Sequence, residues 1–446
     1  MGYFRDQLQS IASQLAASEE EEEEGDDVAS IEQLVLILCG AHEFSELPVR
    51  HNEEHLNLDL AKLLPWQGGL QMDMESSHTK AFLLLLAHFH RTALPISDYV
   101  TDTKSVLDQA PRVLNALIDM SAGRGLLEVT LRLLRVSQML VQALPADASQ
   151  LLQLPHMSPG RLQALALPPS RSSKNSGKHQ GQSIHHTASP SSPIATIKDL
   201  FALDTPSVEA RMRDVFRRGA GGGGAGGAGG SKEFRDFMGV LAGLPRLSLA
   251  VDRVQQQQGQ AAAAAGGGGG VLERAAGNGS GGVVFSLPPS PSPSSLDLQV
   301  QFSITSKRAA GGDLGQYRQQ QQQRGGGRGN TVYCPKYHKS KKLSWFVVLG
   351  CASSGELCAL QKLGGLSSSP SSSSSSSSSA GGQDQVLLSS SLSWTVHRGG
   401  EQQLREEEEE EEYILFLVPD AVFGIEVLGR FSLTAAAVAT TRESNL

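Results

Sequence analysis

The spacing of the hydrophobic residues changes once along this chain, and that change limits the folds open to it. From residue 29 to 155, apolar residues recur with the period of an α-helix that buries one side. From residue 295 they alternate with polar residues, as in "SLDLQVQFSI", which is typical of a half-buried strand. The sequence therefore predicts a multi-domain α plus β protein, with a helical bundle first and a β-structure last.

The C-terminal part contains further strand-like segments separated by turn residues. Strands at this spacing predict an antiparallel β-sandwich. Long inserts cost little at turns, so the Gln, Ser and Glu runs between these segments are compatible with such a fold. The segments are "LSWFVVLGC", "ELCALQKLG", "SLSWTVHRG", "YILFLVPD" and "FGIEVLGRFSLTA".

Low-complexity runs divide the 446 residues, of which only 39% are hydrophobic and 48 are glycine. Such runs bury too little apolar surface to offset the conformational entropy lost on folding. We therefore predict six regions. They are an N-terminal helix and acidic linker (1–28), a helical bundle (29–155), a disordered linker (156–193), a small helical subdomain with a Gly-rich insert (194–245), a low-complexity linker (246–294) and a β-sandwich with Gln, Ser and Glu inserts (295–440).

Cysteine use and hydrophobicity indicate the compartment. The four cysteines are far apart and form no C-x-x-C pair, which is typical of neither a disulfide framework nor a zinc ribbon. The N-terminus lacks an apolar signal region, and the longest apolar run, Ala81–Ala87, is too short to cross a bilayer. The net charge of −8 comes largely from two glutamate runs and says little about partners. We expect a protein of the nucleus or cytoplasm, without a membrane partner or a cofactor.

The segment "HNEEH", residues 51–55, fits the H-x-x-E-H pattern of inverted zinc metallopeptidases. A zinc site would need both histidines on one helix face and a third ligand elsewhere. Asn52 is a favoured N-cap residue, so we expect the helix to begin after it. His51 would then lie outside the helix and His55 within it. The sequence predicts a capped helix start and no metal site.

The segment "DTKSVLDQAPRVLNALIDM", residues 102–120, has one apolar face and one polar stripe. In the simpler interpretation the stripe is solvated and contains an i,i+4 ion pair between Asp108 and Arg112. In the alternative it lines a channel in which Arg112 contacts a phosphate or stacks on a base. Pro111 lacks a backbone donor, so we expect a kink or a later helix start there. The stripe consists of Asp108, Arg112, Asn115 and Asp119.

Lysines and aromatic residues alternate in "VYCPKYHKSKKLSWF", residues 332–346. Cations interleaved with aromatics are typical of surfaces that follow a phosphate backbone and stack bases. The simpler alternative is a lysine-rich turn ahead of a core strand, because short lysine clusters are common on surfaces. Both interpretations stay open. The candidate nucleic-acid contacts of the whole chain are Arg112, Asn115, Asp108, Lys339, Lys341 and Lys342.

Three segments resemble the SEC sixty-three domain found in Ski-two-like superfamily-two helicases: "LPVRHNEEHLNLDLAKLLP", residues 76–125, and "PKYHKSKKLSWFVVLG". The resemblance implies a helical bundle, a helix-hairpin-helix subdomain and an immunoglobulin-like or fibronectin-type sandwich. It also implies that Asp102–Met120 is the ratchet helix beneath a translocating strand, with Arg112 at the strand-contacting position. Pro111 departs from the apolar or small residue that the family usually has there.

The resemblance implies a non-catalytic helicase module that guides single-stranded RNA or DNA and docks other subunits of a complex. Its ATPase cassette would act in cis or in trans, and its process would be alkylation-damage repair or ribosome-collision quality control. The alternative is a protein-interaction scaffold without nucleic-acid contact, of the protein-translocation or spliceosomal type. The family's ATPase domains are not recognisable in this sequence. We therefore expect no enzyme activity from the chain, as either a fragmentary gene product or a free-standing module.

Overall fold

Helices occupy the first part of the chain and strands the last, which confirms the predicted α plus β class. The predicted acidic linker, most of the predicted linker at 156–193, and most of the Gly, Gln, Ser and Glu runs lie outside the described residues. The computed structural model describes residues 6–11, 13, 24–65, 72–166, 193–218, 227–256, 272–275, 283–287, 295–306, 317, 331–366, 385–397 and 410–435.

The first helices form the predicted bundle. In the helix α3 (Ser77–Phe89), every residue from Thr79 to Ala87 is buried, as expected of a helix that is apolar on nearly all sides. Within the described residues, no helix has both the length and the apolar character needed to span a bilayer. The helices are α1 (Glu24–Cys39), α2 (Glu53–Leu63), α3 (Ser77–Phe89), α4 (Ser97–Ala122) and α5 (Leu127–Gln142).

The helix α4 runs without interruption from Ser97 to Ala122 and contains Pro111. The expectation of a helix start near Pro111 is therefore wrong. The residues before the proline are held by burial, since Tyr99 and Asp102 are only 0% and 4% exposed. Tertiary packing of these first turns outweighs the hydrogen bond that a proline cannot donate.

The helix α2 begins at Glu53, so His51 precedes it and His55 lies within it, as predicted. The expected capping bond is wrong, because Asn52 has a φ of 67° and its side chain accepts no capping hydrogen bond. The backbone N–H of Arg50 instead donates to the Glu53 carboxylate at 2.9 Å. Among the residues that the structure describes, no group of three or more His, Cys, Asp or Glu side chains is placed to hold a metal.

Four helices and nine strands are described in the rest of the chain. The strands that the sequence predicted pair with one another only in antiparallel fashion, whereas β3 (Val283–Leu287) pairs with β9 (Val427–Ala435) in parallel. The elements are α6 (Pro159–Ala166), α7 (Ile197–Ala202), α8 (Thr205–Arg218), α9 (Gly227–Gly243), β1 (Leu247–Gln256), β2 (Glu273–Ala275), β3 (Val283–Leu287), β4 (Ser295–Ser306), β5 (Trp345–Cys351), β6 (Leu357–Leu363), β7 (Gln385–His397), β8 (Glu410–Pro419) and β9 (Val427–Ala435).

The strands form two sheets, in the orders β1-β4-β7 and β2-β3-β9-β8-β5-β6. Side chains from both sheets, including Phe302, Trp394 and Phe431, belong to one buried cluster. The strand β1 lies inside the range predicted as a low-complexity linker, as do β2 and β3. The alternating apolar residues of β1 precede a glutamine run, and Val251 pairs with Phe302 on β4. Long-range pairing therefore forms a strand where composition indicated a linker.

Hydrogen bonds join the helical bundle to the six-stranded sheet. On α5, the side-chain amide of Gln138 donates to the Pro419 carbonyl at 2.8 Å, and that of Gln142 donates to Ala421 at 2.6 Å. At the end of α4, the Gly125 carbonyl accepts from the Leu357 N–H at 2.7 Å. These bonds place the edge strand β6 beside α4, where the candidate site lies.

Candidate nucleic-acid interface

Most residues on the outer face of α4 between Thr101 and Asp119 are exposed to solvent. Its apolar side, with Val106, Ala110 and Leu117, is buried in the bundle as predicted. The opposite side carries the predicted polar stripe, in which Asn115 is half-buried and the other members are exposed. The exposed residues of this face are Thr101, Lys104, Ser105, Asp108, Gln109, Arg112, Ala116 and Asp119.

Arg112 lies at the middle of this face, and 66% of its side chain is exposed. One guanidinium nitrogen is 3.2 Å from a carboxylate oxygen of Glu43, and it also donates to the side-chain oxygen of Gln109 at 3.3 Å. Glu43 belongs to the short 3-10 helix His42–Phe44, after α1. The partner of Arg112 is therefore Glu43 and not Asp108, the partner expected in the simpler of the two interpretations.

Asp108 is instead contacted by the basic loop, which we define as residues 331–344. The Nε2 atom of His338 is 2.5 Å from the Asp108 carboxylate, and the Lys339 ammonium contacts the same oxygen. Hydrogen bonds from Lys339 and His338 lower the pKa of the Asp108 carboxyl. The basic loop thus lies directly against α4, one turn before Arg112.

Asn115 connects α4 to the edge strand β6, one turn after Arg112. Its side-chain amide nitrogen donates to the Pro111 carbonyl at 2.6 Å. Its side-chain oxygen accepts from the Lys362 ammonium at 3.1 Å. The same ammonium lies 5.1 Å from the centre of the Phe346 ring, which favours a cation–π contact.

The two remaining candidate lysines differ in their surroundings. The Lys341 ammonium is 2.6 Å from the carboxylate of Asp420, which is 4% exposed. Asp420 also accepts from the Ser344 N–H at 2.9 Å. Lys341 therefore fixes the basic loop to the six-stranded sheet. Lys342 is exposed, and within the described residues it has no ion pair.

A buried charge network supports the first turns of α4. The Lys80 ammonium on α3 is fully buried and donates to Glu53 at 2.6 Å and to Asp102 at 2.7 Å. It also donates to the Pro48 carbonyl at 2.6 Å. Arg50 reaches the same two carboxylates, at 2.8 and 2.9 Å. Two cations and two carboxylates thus join α2, α3 and α4.

The network keeps its carboxylates ionised. Burial raises the pKa values of Glu53 and Asp102, but hydrogen bonds from Lys80 and Arg50 outweigh it, so both pKa values are lowered. The same burial, together with the nearby carboxylates, raises the pKa of the Tyr99 hydroxyl. That hydroxyl donates to the Asn57 side chain at 2.6 Å. Each buried charge of the network thus has a partner of opposite charge. A buried ion is tolerated only when it is paired in this way.

Comparison with known proteins gives the family of this chain. The family described as the Sec63 Brl domain matches residues 25–375. The chain belongs to the Sec63 Brl domain family. The resemblance predicted from the helical segments and the basic loop is confirmed.

Three relatives of this Sec63 Brl domain chain are much longer than it. It is 48% identical over 128 residues to activating signal cointegrator 1 complex subunit 3 of Homo sapiens, covering 29% of this chain and 6% of the human protein. It is 45% identical over 157 residues to the DExH-box ATP-dependent RNA helicase DExH14 of Arabidopsis thaliana, covering 34% and 7%. It is 35% identical over 122 residues to the RQC trigger complex helicase SLH1 of Saccharomyces cerevisiae, covering 26% and 6%.

In this Sec63 Brl domain, four of the six candidate contacts come together on α4. Asp108, Arg112 and Asn115 occupy successive turns of one face, and Lys339 reaches that face from the basic loop by pairing with Asp108, whereas Lys341 is paired with Asp420. Sequence reasoning missed the partners, which are Glu43, His338 and Lys362. His338 lies within the lysine-rich segment that the sequence singled out, and Lys362 lies on a predicted strand, but neither position showed which element the side chain would contact.

Proposed function

We propose that this Sec63 Brl domain is a non-catalytic, helicase-associated module that holds single-stranded nucleic acid along the outer face of α4. The observation that carries the proposal is the solvent-open face on which Arg112 is 66% exposed and Lys339 lies one turn away. Two of the relatives are helicases by name. In the proposed role α4 is the ratchet helix, and ATP is hydrolysed by a separate cassette in cis or in trans.

The chemistry of this face suits a phosphate backbone. Guanidinium and ammonium groups bind phosphate oxygens, and a guanidinium also stacks on bases. In the free protein the carboxylates of Glu43 and Asp108 occupy Arg112 and Lys339. Exposed ion pairs of this kind contribute at most about 1 kcal/mol. A strand therefore replaces two weak carboxylate partners with phosphates.

The finer architecture and the process belong to the same proposal. The two sheets with a common core would be the immunoglobulin-like or fibronectin-type sandwich, and α7, α8 and α9 the helix-hairpin-helix subdomain. The relatives' names include a cointegrator complex subunit and an RQC trigger complex helicase, which supports other complex subunits as partners. Ribosome-collision quality control or alkylation-damage repair, in the nucleus or cytoplasm, is the proposed setting.

The test is binding of fluorescent single-stranded RNA and DNA of one sequence to the full chain over a range of salt concentrations. Arg112→Ala should weaken binding, and it should lower the slope of log affinity against log salt by about 0.7 for one lost phosphate contact. Arg430→Ala is the matched control, because Arg430 is 54% exposed on β9 and is also paired with a glutamate. Equal binding by the two variants would contradict the proposal.

A protein-interaction scaffold without nucleic-acid contact is the second candidate. It is favoured by the fact that Asp108, Arg112 and Asn115 all have protein partners already. In that case the same face would dock another protein domain. Wild-type binding to RNA and DNA would then be no stronger than that of Arg112→Ala and would show no salt slope beyond the background of the control.

A further inference from the structure

Lys362 belongs to the six-stranded sheet, and its positive charge lies against α4. It lies near the end of the edge strand β6, is exposed, and contacts the side-chain oxygen of Asn115 at 3.1 Å. Asn115 is a neutral acceptor, so this contact orients the ammonium without neutralising it. Among the described residues, no carboxylate lies within ion-pair distance of Lys362. An ammonium has three donors, and Asn115 uses one of them.

Three cations from three elements follow α4 in order. Lys339 of the basic loop contacts Asp108, Arg112 belongs to the helix itself, and Lys362 of β6 contacts Asn115. Residues 108 and 115 are about 10 Å apart along the helix axis, at a rise of about 1.5 Å per residue. The cations are thus spread along one line and do not converge on a single point. Such a row suits an extended polyanion better than a single anion.

The contacts that place Lys362 are set by the joint between the bundle and the sheet. The Gly125 carbonyl accepts from the Leu357 N–H at 2.7 Å, which fixes the start of β6 to the end of α4. Lys362 pairs in register with Phe346 on the neighbouring strand β5, and its ammonium lies 5.1 Å from the centre of that ring. The position of this charge over α4 therefore depends on both domains.

We propose that Lys362 is a strand-contacting residue, and that the single-stranded nucleic acid lies in a groove with α4 on one side and β6 on the other. This inference rests on the proposed function and adds a specific contact to it. The phosphates would follow the order Lys339, Arg112, Lys362. The β-structure would then contribute directly to binding, in addition to supporting the helix.

The experiment compares Lys362→Met with Lys362→Arg in the full chain. Methionine keeps an unbranched stem beside Phe346 and removes only the charge, whereas arginine restores it. Lys62→Met is the matched control, since Lys62 is an exposed lysine of α2, 63% exposed, away from the groove and paired with Asp59. The readout is the salt dependence of binding to single-stranded RNA and DNA of the same sequence, with the unfolding midpoint measured alongside.

We expect Lys362→Met to weaken binding severalfold and to lower the salt slope by about 0.7, while Lys362→Arg and Lys62→Met match the wild type. Binding by Lys362→Met equal to that of Lys62→Met, with Arg112→Ala still weakened, would overturn this inference and leave the proposed function standing. If Arg112→Ala also matches its control, the proposed function itself fails. Weakened binding of Lys362→Met to only one of the two probes would support the inference for that nucleic acid and overturn it for the other.

Discussion

Arg112 is exposed on α4, yet in the free protein its charge is shared with Glu43 at 3.2 Å. A phosphate that binds Arg112 must therefore displace a carboxylate, and that displacement lowers the affinity. The same holds for Lys339 and Asp108 one turn away. At the scale of single residues, Glu43 and Asp108 would therefore compete with phosphate groups for Arg112 and Lys339.

We expect Glu43→Gln to strengthen binding of single-stranded nucleic acid. The gain should be up to about fivefold, because an exposed ion pair contributes at most about 1 kcal/mol. The dissociation constant of a labelled oligonucleotide at fixed salt measures it. Glu54→Gln is the control, since Glu54 is an exposed glutamate at the start of α2 and makes the same change in net charge. Weaker binding by Glu43→Gln than by Glu54→Gln would show that Glu43 positions Arg112 instead of competing with the strand.

At the scale of elements, α4 depends on a buried ammonium that belongs to another helix. Lys80 is the one fully buried charge in an otherwise apolar segment of α3, and it joins Glu53 of α2 to Asp102 of α4. The lysine was visible in the sequence, but its two partners lie 27 and 22 residues away along the chain. Hydrophobic periodicity therefore predicted the helices but not the buried charge network that holds them together.

Lys80→Met should destabilise the fold by about 3 to 5 kcal/mol, because it leaves two buried carboxylates with one cation. Urea unfolding measures this, with Lys104→Met on the exposed face of α4 as the control.

The pKa values of Glu53 and Asp102 are lowered in the folded protein. Ionisation of these two carboxyls therefore stabilises the wild type above their unfolded pKa values, and this stability is lost as acid protonates them. Lys80→Met should flatten this loss. An unchanged acid profile would contradict the account of the network.

At the scale of the whole molecule, local patterns predicted the order of the parts, and distant contacts decided the rest. Alternation in β4 and helical periodicity in α4 were sufficient to place a bundle before a β-structure. The strand β1 was missed because its pairing with β4 spans a low-complexity run. The polar stripe of α4 was predicted, but its neighbours Glu43 and Lys362 come from elements that only the fold brings beside it.

The most direct test of the central claim is photo-crosslinking of single-stranded RNA and DNA to the full chain, with the linked peptides identified by mass spectrometry. We expect crosslinks in α4 between Lys104 and Asp119, in the basic loop at 331–344, and around Lys362. We also expect Arg112→Ala to reduce all three together. Crosslinks confined to β1 or β7, or spread evenly over the surface and unchanged by Arg112→Ala, would contradict the central claim.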